Sequence, residues 1–319
     1  MTFRFADPDG RYAAVRLCSD LHGPRDFKRD GDAWVLDLDT PLARLEYRLE
    51  LEQPDGTTET VLDPDNAHRA PGVFGEKSVM LTPAYEPPAW LDADAVEGQV
   101  HELSIRARGL ATEMHVRLWD GGGAPLLVAH DGPEYERLAS LTRYSGAMIA
   151  SGALPPHRVA LLAPADRDEW YSASGRYARA LATDVMRALH PVDPVGMGAS
   201  LGALAMLHAH VRRPFAGLFL QSGSFFVLRH DAHEHRFPRF QRVIRVVRDL
   251  KRDAGVPERV TMTCGVLEEN LANNREMARA LAAQEFDVEL NVVPDMHNYT
   301  GWRDALHPHL THLLLRVWA

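Results

Sequence analysis

Cysteine is scarce in this chain of 319 residues, which contains only Cys18 and Cys264. Two cysteines that lie so far apart in the sequence do not suggest a disulfide framework, and they permit a reducing compartment. No apolar run is long enough to span a bilayer, and the first residues lack the apolar segment of a signal peptide. These absences predict a cytoplasmic protein that has no membrane partner.

An excess of positive charge is also missing. The chain has 35 Lys and Arg against 44 Asp and Glu, which gives a formal net charge of -9. This balance argues against a nucleic-acid partner. The arginines between residues 242 and 252 recur at helical spacing, which is typical of a solvated helix face. A hydrophobic content of 45% at this length allows a sizeable core, in one large domain or two medium ones.

The first part of the chain has the alternation of β-strands. Apolar residues recur at every second position over 34–38 and 45–51, and charged residues such as Arg44 and Glu46 lie between them. A period of two predicts strands with one face in a core and the other in water. Asp-Gly turn signals separate these short strands, so we expect an immunoglobulin-like β-sandwich domain over residues 1–94. Prolines just before residue 94 mark the boundary.

From residue 95 onwards, apolar strands alternate with helical segments. The predicted strands are 100–107, 114–119, 125–130, 159–163, the segment before Ser200, 217–221, 260–264 and 288–293. The predicted helices are 134–151, 173–189, 201–211, 238–254, 270–284 and 302–318. This order predicts a second domain over 95–319, of the α/β class, with a doubly wound, mostly parallel sheet.

One motif in this domain carries chemistry. Residues 198–202 read Gly-Ala-Ser-Leu-Gly, a match to G-x-S-x-G with Ser200 at its centre. In a nucleophile elbow, the serine occupies a sharp strand-to-helix turn, and the two glycines allow strand and helix to approach closely. The helix N-terminus favours developing negative charge. The alternative is a helix start with a serine cap and tightly packed glycines.

A base for this serine would come from the end of the last strand. His297 is the only one of 16 histidines that lies between the last predicted strand and the last predicted helix. Loops at the carboxyl ends of parallel strands meet at one edge of the sheet, which would bring His297 to Ser200. Imidazole suits general-base catalysis because its pKa is ordinarily near neutrality. The alternative is a solvent-exposed loop histidine.

An acid would have to hold the imidazole in the correct tautomer. Glu268 follows the predicted strand 260–264, and we favour it for this role. Its neighbour Glu269 is a rival that could instead cap the next helix. Asp295 is another, although it shares the loop of the histidine. The order of serine, then acid, then histidine is the order of α/β-hydrolases.

Backbone donors for an oxyanion hole follow from the same scheme. The first would be the N–H of Leu201, the residue after the nucleophile. The second would come from the loop after strand 125–130, where Asp131 or Gly132 would supply it. The alternative is an ordinary Asp-Gly turn.

Two further features favour simpler interpretations. The segment His230–His235 combines imidazoles with carboxylates, but it lacks a second anchored ligand pair and lies in a loop, so we expect no metal site. It could instead border a substrate cleft. Phe225 and Phe226 could line a pocket, although core packing is the simpler interpretation.

Five segments of the chain resemble the esterase D / enterochelin esterase branch of the α/β-hydrolases. They are Leu127–Gly132, Arg167–Glu169, Gly198–Gly202, Gly265–Glu268 and His297–Arg303. The last is similar to the family's G-H-D-x-x-x-W-R stretch, with Met296 in place of the glycine and Asn298 in place of the aspartate. The segment Leu62–Asn66 resembles the sandwich that precedes the hydrolase domain in enterochelin esterases.

The resemblance implies an α/β-hydrolase fold and a serine esterase with no cofactor and no metal, acting on a small-molecule ester. By alignment with the family's glycine-x-x-glutamate, it also implies Glu268 rather than Glu269 as the acid. Family activities include hydrolysis of siderophore trilactones, of feruloyl or acetyl sugar esters and of S-formylglutathione, and transfer of mycolyl groups. The two-domain form is similar to the siderophore branch, by analogy of fold.

The leading hypothesis is therefore hydrolysis of a carboxylic ester through an acyl-enzyme. One alternative is acyl transfer, in which an alcohol replaces water in the second step. The other is a non-catalytic binding protein on a hydrolase fold, whose sandwich domain holds a carbohydrate or a protein. The complete order of serine, glutamate and histidine argues against this last alternative.

Overall fold

The computed structural model describes residues 1–23 and 25–319. These residues form two compact units. The first unit consists of Met1–Glu86 together with two later loops, Gly265–Glu268 and Pro294–Gly301. The second unit contains the remainder, from Pro87 onwards. The two loops that carry Glu268 and His297 thus pack with the amino-terminal strands.

The first unit is built from eight short strands. They are β1 (Thr2–Ala6), β2 (Ala14–Cys18), β3 (Lys28–Asp30), β4 (Ala33–Asp37), β5 (Arg44–Glu52), β6 (Thr58–Val61), β7 (Arg69–Ala70) and β8 (Lys77–Leu81). One sheet has the order β1-β4-β3. The other has the order β2-β5-β8-β7, and β6 also pairs with β5. The paired strands are antiparallel.

The core of this unit follows the predicted alternation on the apolar face. Trp34 and Leu36 of β4, and Tyr47 and Leu49 of β5, are buried in one cluster. Met296 from the later loop belongs to the same cluster. Every second side chain along a strand points to the same face of its sheet. Because β4 and β5 belong to different sheets, both sheets contribute to this core.

The predicted water-facing side of β5 is wrong at two positions. Arg44 and Glu46 are both buried. Their charges are matched inside the structure, because Arg44 Nη2 donates to Glu46 Oε1 at 2.5 Å and Arg44 Nη1 donates to Asp295 Oδ2 at 2.9 Å. A period of two tells which face of the sheet a residue occupies, but not whether that face is covered.

The second unit contains one eight-stranded sheet. Its strands are β9 (Gln99–Ala107), β10 (Thr112–Asp120), β11 (Pro125–Ala129), β12 (Arg158–Ala163), β13 (Val192–Ala199), β14 (Gly217–Gln221), β15 (Arg259–Gly265) and β16 (Asp287–Val293). The order is β16-β15-β14-β13-β11-β12-β10-β9. The pairings among β11, β12, β13, β14 and β15 are parallel, and β9 and β10 are antiparallel. The predicted α/β class is confirmed.

The described residues also form ten α-helices. They are α1 (Gly132–Ala139), α2 (Leu141–Ala150), α3 (Arg167–Tyr171), α4 (Gly175–Ala180), α5 (Met186–Leu189), α6 (Leu201–His210), α7 (Phe240–Leu250), α8 (Leu271–Ala282), α9 (Tyr299–Asp304) and α10 (Thr311–Trp318). In the described ranges, 1–23 and 25–319, no helix combines the length and the apolar character that crossing a bilayer requires.

Two predicted helices are each broken. The helix expected over 134–151 is divided at Ser140, which has a left-handed φ of 52°. The helix expected over 302–318 is interrupted at His307, whose φ of -112° and ψ of 128° are extended. Pro308 explains the second break, because the residue before a proline is pushed out of the helical region. Serine carries no comparable signal, so the first break could not be read from composition.

Helix α6 is apolar on all sides, and every residue of it except His208 is buried. It follows β13 so closely that a Cβ on Gly198 would lie 2.6 Å from the carbonyl carbon of Gly202. Only hydrogen fits at that point, because the obstacle is backbone and cannot rotate away. The tight crossing fixes where the helix begins.

We expect Gly198→Ala to lower the free energy of unfolding by about 2–3 kcal/mol, because overpacking against a fixed backbone forces strand and helix apart. Gly175→Ala is the matched control, since its Cβ would meet only a guanidinium nitrogen of Arg212 at 3.8 Å. Urea unfolding of both variants measures the difference. Equal stability of the two would contradict the close crossing.

Candidate functional site

Ser200 lies at the junction between β13 and α6 with backbone angles of φ 56° and ψ -124°. A non-glycine residue pays strain energy for a positive φ, of about 1–3 kcal/mol, and such residues cluster at functional sites. The corner is held by hydrogen bonds, since Ser200 N–H donates to Gln221 O at 2.9 Å and Ser224 N–H donates to Ser200 O at 3.1 Å. Ser200 is only partly buried at the start of the helix.

A second serine contacts this hydroxyl. The Oγ atoms of Ser200 and Ser224 lie 3.0 Å apart, within hydrogen-bond distance. Ser224 follows β14, whose last residue, Gln221, pairs with Ala199 at the end of β13. Sequence reasoning missed Ser224. The signal was a polar run directly after a buried strand that was expected to end at the same edge of the sheet.

Buried asparagines hold the loop that carries Ser224. Asn274 donates to Gly223 O at 2.8 Å and accepts from Gly223 N at 3.0 Å. Asn270 donates to Ser222 O at 3.2 Å. An amide side chain that satisfies both a carbonyl and an N–H fixes the loop in one conformation, because leaving either buried group unpaired is costly.

The loop after β11 is tied to α6 through a buried histidine. His130 Nδ1 lies 2.8 Å from Gly202 O, and its Nε2 lies 2.8 Å from the Tyr177 hydroxyl. A carbonyl can only accept, so Nδ1 carries the hydrogen and Nε2 accepts from Tyr177. His130 therefore links the predicted oxyanion loop to the first turn of the nucleophile helix.

The chain of donors continues towards Asp131. The Tyr171 hydroxyl hydrogen-bonds to Tyr177, and the Asp131 N–H donates to the Tyr171 oxygen at 3.3 Å. His130, Tyr171 and Tyr177 are each at most 1% exposed. Burial lowers the pKa of His130 to about 4, with the Gly202 carbonyl opposing that shift. Burial also raises the pKa of Tyr171 and of Tyr177. All three side chains are therefore neutral near pH 7.

Asp131 itself is fixed by an arginine. Arg167 Nε and Nη2 each lie 2.8 Å from one oxygen of the Asp131 carboxylate, in a two-pronged ion pair. Asp131 has a left-handed φ of 50° and precedes α1, which begins at Gly132. The first N–H groups of a helix have no acceptor within the helix. Gly132 and Leu201, as first residues of α1 and α6, thus present such groups.

In the first unit, the predicted acid and base are bonded to each other. His297 Nδ1 lies 2.8 Å from Glu268 Oε2, and the other oxygen, Oε1, accepts from Gly265 N–H at 2.7 Å. The Glu268 side chain is 2% exposed and that of His297 is 32% exposed. Glu268 Oε2 can accept from Nδ1–H of His297, which fixes the orientation of the imidazole ring.

The two rival acids have other partners. Glu269 Oε2 lies 3.2 Å from His233 Nε2. Asp295 binds Arg44 and accepts from its neighbour Met296 N–H at 2.7 Å. Of the three candidates, Glu268 has the geometry of an orienting acid, since its Oε2 lies 2.8 Å from His297 Nδ1.

A small cluster in the second unit has the composition of a metal site. Ligand atoms of His233, Glu234 and Glu269 lie within 4.8 Å of one another. The side chains of His233 and Glu269 are 54% and 46% exposed, and they pair with each other. Exposed ion pairs of this kind form without a metal. Phe225 and Phe226 belong to the buried core, so they pack rather than line a pocket.

The predicted site residues thus fall into two groups. Ser200, Leu201, Asp131 and Gly132 belong to the second unit, and Glu268 and His297 belong to the first. Sequence reasoning did not find Ser224 or the tyrosines that hold His130. The tyrosines carry no local signal, because their roles arise from packing between distant helices.

Comparison with solved structures identifies the fold. The enterobactin esterase FES from Shigella flexneri, solved in the presence of 2,3-di-hydroxy-N-benzoyl-glycine, matches with a TM-score of 0.77 and 19% identity, covering 100% of this chain and 93% of that one. Ferric enterobactin esterase from Salmonella typhimurium matches with a TM-score of 0.79 and 19% identity, covering 99% and 93%. A ferulic acid esterase matches with a TM-score of 0.56 and 14% identity, covering 70% and 100%.

No family model and no curated protein matches the sequence. The resemblance to enterochelin esterases inferred from sequence motifs is confirmed at the level of the fold, over the whole chain.

Titration of His130 should appear in the pH dependence of stability. Its pKa is about 4 in the folded chain against an ordinary value of 6.5, so the unfolded chain binds the proton first as the pH falls. The contribution of the neutral imidazole to the free energy of unfolding is fully present above pH 6.5 and is lost as the pH falls towards 4. Within that window we expect the slope of unfolding free energy against pH to be about 1.4 kcal/mol per pH unit shallower in His130→Phe than in the wild type.

Urea unfolding between pH 4.5 and 7.5 measures this slope. His157→Phe is the control for the titration, since burial also lowers the pKa of His157 to about 4, while its Nδ1 lies 2.9 Å from Pro155 O, away from the Asp131 loop. It should flatten the slope equally. A His130 variant with the wild-type slope would contradict the assignment of a neutral imidazole.

Proposed function

We propose that this protein is a serine hydrolase that cleaves a carboxylic ester through an acyl-enzyme. The observation that carries the proposal is the backbone of Ser200, a strained left-handed corner at the start of an apolar helix. The Glu268–His297 pair supports it, because it is a base held by a buried acid. The likeness of fold to esterases supports the same class of reaction.

Chain order supports joint action of the three residues. Ser200 follows β13 directly, Glu268 follows β15 by three residues and His297 follows β16 by four. These strands run in the sheet order β16-β15-β14-β13. In α/β-hydrolases, the nucleophile, the acid and the base follow strands of the sheet in this same order along the chain.

In the proposed mechanism, Nε2 of His297 removes the proton from Ser200 Oγ as that oxygen attacks the ester carbonyl. Collapse of the tetrahedral intermediate breaks the bond to the alcohol, and the imidazolium returns the proton to the leaving oxygen. Water then attacks the acyl-enzyme with the same base, which releases the acid and restores Ser200. Glu268 stays ionised and holds Nδ1–H throughout.

We assign the oxyanion donors to the N–H groups of Leu201 and Gly132. Asp131 was the other candidate, but its N–H already donates to Tyr171. His130 joins the two donor segments through Gly202 O, so it would set the distance between them. Preorganised donors of this kind stabilise the transition state, and losing one typically costs about 10²–10³ in kcat.

A fluorophosphonate probe tests the nucleophile. Its phosphorus should bond to Ser200 Oγ with loss of fluoride in the wild type, and Ser200→Ala should show no labelling and a fall in hydrolysis of p-nitrophenyl acetate of about 10⁵–10⁶. Peptide mapping identifies the labelled residue. Undiminished labelling of Ser200→Ala would refute the assignment.

Two adjacent glutamates give a matched pair for testing the acid. Glu268→Gln should lower kcat by about 10³–10⁴, because an amide can hold the imidazole in the wrong tautomer. Glu269→Gln should change kcat less than threefold, on the order of an exposed ion pair lost. Initial rates on the same ester, with circular dichroism to check folding, separate them. The reverse ranking would transfer the role to Glu269.

For the substrate, we propose a siderophore ester of the enterobactin type. The support is coverage, since both enterobactin esterase structures align with nearly the whole chain, whereas the ferulic acid esterase covers 70%. A panel of enterobactin with and without iron, feruloyl esters and short acyl esters, analysed by chromatography, tests this. A kcat/KM for feruloyl or short esters above that for enterobactin would reject the substrate while keeping the reaction.

We also propose that residues 1–94 form an immunoglobulin-like sandwich domain and residues 95–319 the catalytic domain. The antiparallel sheets of β1 to β8 and their shared core support the first assignment. The parallel strands β11 to β15, of which β13 ends directly before Ser200, support the second.

A further inference from the structure

Arg44, the first residue of β5, is a buried cation without an obvious reason to be buried. Its side chain is 2% exposed. Removing a guanidinium from water is costly unless it is paired and hydrogen-bonded, so a buried arginine with several partners marks an arrangement that the fold maintains. The partners show what is being held.

The guanidinium binds on both sides of His297. Arg44 Nη1 donates to Asp295 at 3.2 and 2.9 Å and to Asn298 Oδ1 at 2.9 Å. Its Nη2 donates to Glu46 Oε1 at 2.5 Å. Asp295 and Asn298 are the residues two before and one after the histidine. One nitrogen, Nη1, thus reaches both of these loop residues while Nη2 is held by Glu46, so the planar guanidinium ties the loop to β5.

The loop is closed around this contact. Asn298 Nδ2 donates to Asp295 Oδ1 at 2.9 Å, and Gly301 N–H donates to Asn298 Oδ1 at 2.8 Å. The backbone of Ala43, next to Arg44, donates to Pro294 O at 3.2 Å. The segment from 294 to 301 is therefore bonded both to itself and to the start of β5.

The loop of the acid meets the same segment. A Cβ on Gly265 would lie 2.2 Å from Asp295 O, so the two loops touch backbone to backbone. Val266 and Leu267 pack on the core cluster that contains Met296. The Glu268–His297 hydrogen bond thus joins two loops that are both seated on the amino-terminal strands.

The charge of Arg44 is secure in this position. Burial acts to lower its pKa, but the negative charges of Asp295 and Glu46 outweigh burial and raise the pKa above its ordinary value. Lys77 Nζ also approaches Glu46 Oε2, at 3.9 Å. The guanidinium is therefore always available to bind the loop.

We propose that Arg44 is a positioning residue for the base: by binding Asp295 and Asn298 it holds His297 in the orientation that keeps Nδ1–H on Glu268. The amino-terminal β-unit thereby supplies the frame for the acid–base pair. This role rests on the proposed function of His297, but the orientation itself can be measured without any substrate.

Three full-length variants test the proposal. Arg44→Met removes the fork and the charge, Arg44→Lys keeps the charge, and Arg16→Met is the matched control. Arg16 lies on β2 and binds two residues of β5, Glu50 at 2.9 Å and Glu52 at 2.7 Å. Both partners lie at the opposite end of β5 from Arg44. The readouts are the NMR resonance of the His297 Nδ1 proton, amide exchange over 294–301, and kcat and KM for p-nitrophenyl acetate.

We expect Arg44→Met to lose the Nδ1 proton resonance, to accelerate exchange over 294–301 and to lower kcat by about 100-fold with KM within about twofold, as for a misplaced catalytic group. Arg44→Lys should recover part of kcat and stay folded if the methionine variant does not. Arg16→Met should match the wild type in all three readouts.

Wild-type resonance, exchange and kcat in a folded Arg44→Met variant would overturn the proposal. If that variant does not fold, an Arg44→Lys variant with faster exchange over 294–301 but wild-type resonance and kcat would overturn it too. A wild type that hydrolyses no ester and takes no probe would instead overturn the proposed function. In that event, the resonance and the exchange rates still decide whether Arg44 positions His297.

Discussion

The positive φ at Ser200 is the constraint from which the rest of the second unit's site follows. The chain can turn this sharply only if strand and helix nearly touch, and the contact between Gly198 and Gly202 meets that condition. Once the helix begins there, its first carbonyls face the loop after β11. The bond from His130 to Gly202 O then fixes the distance between the two segments that carry free N–H groups.

Each unit buries paired polar groups around the predicted site residues that it carries. In the second unit, buried amides and phenols surround the serine loop and the Asp131 loop. In the first, Arg44, Glu46 and Asp295 form a charged cluster beside the histidine. Burying such groups costs free energy unless they are paired, so small displacements that unpair them are resisted. Removing these groups from water costs free energy, so the clusters add little net stability. The same cost makes unpairing unfavourable and keeps the clusters rigid.

Much of this could be predicted from the sequence, since motif and periodicity are local signals. G-x-S-x-G located the corner at Ser200, and chain order selected His297 from 16 histidines. Alternation found the strands but placed Arg44 in water, because a period of two carries no information about what covers the polar face. The link from Arg44 to Asp295 spans 251 positions, and nothing local to either residue indicates it. A contact between residues this far apart in the sequence is determined by the tertiary fold and has no local signal.

The hydrogen bonds from Asp131 through Tyr171 and Tyr177 to His130 and Gly202 all run in one direction. Each hydroxyl accepts from one neighbour and donates to the next, and the direction is fixed because the chain begins at a backbone N–H and ends at a carbonyl. The effects of substitutions in this hydrogen-bonded chain on stability are therefore coupled. Loss of one hydroxyl leaves its neighbour unsatisfied, and a second change at that neighbour repairs part of the damage. The side chains of His130, Tyr171 and Tyr177 therefore form one coupled set, which we expect to change together between related proteins.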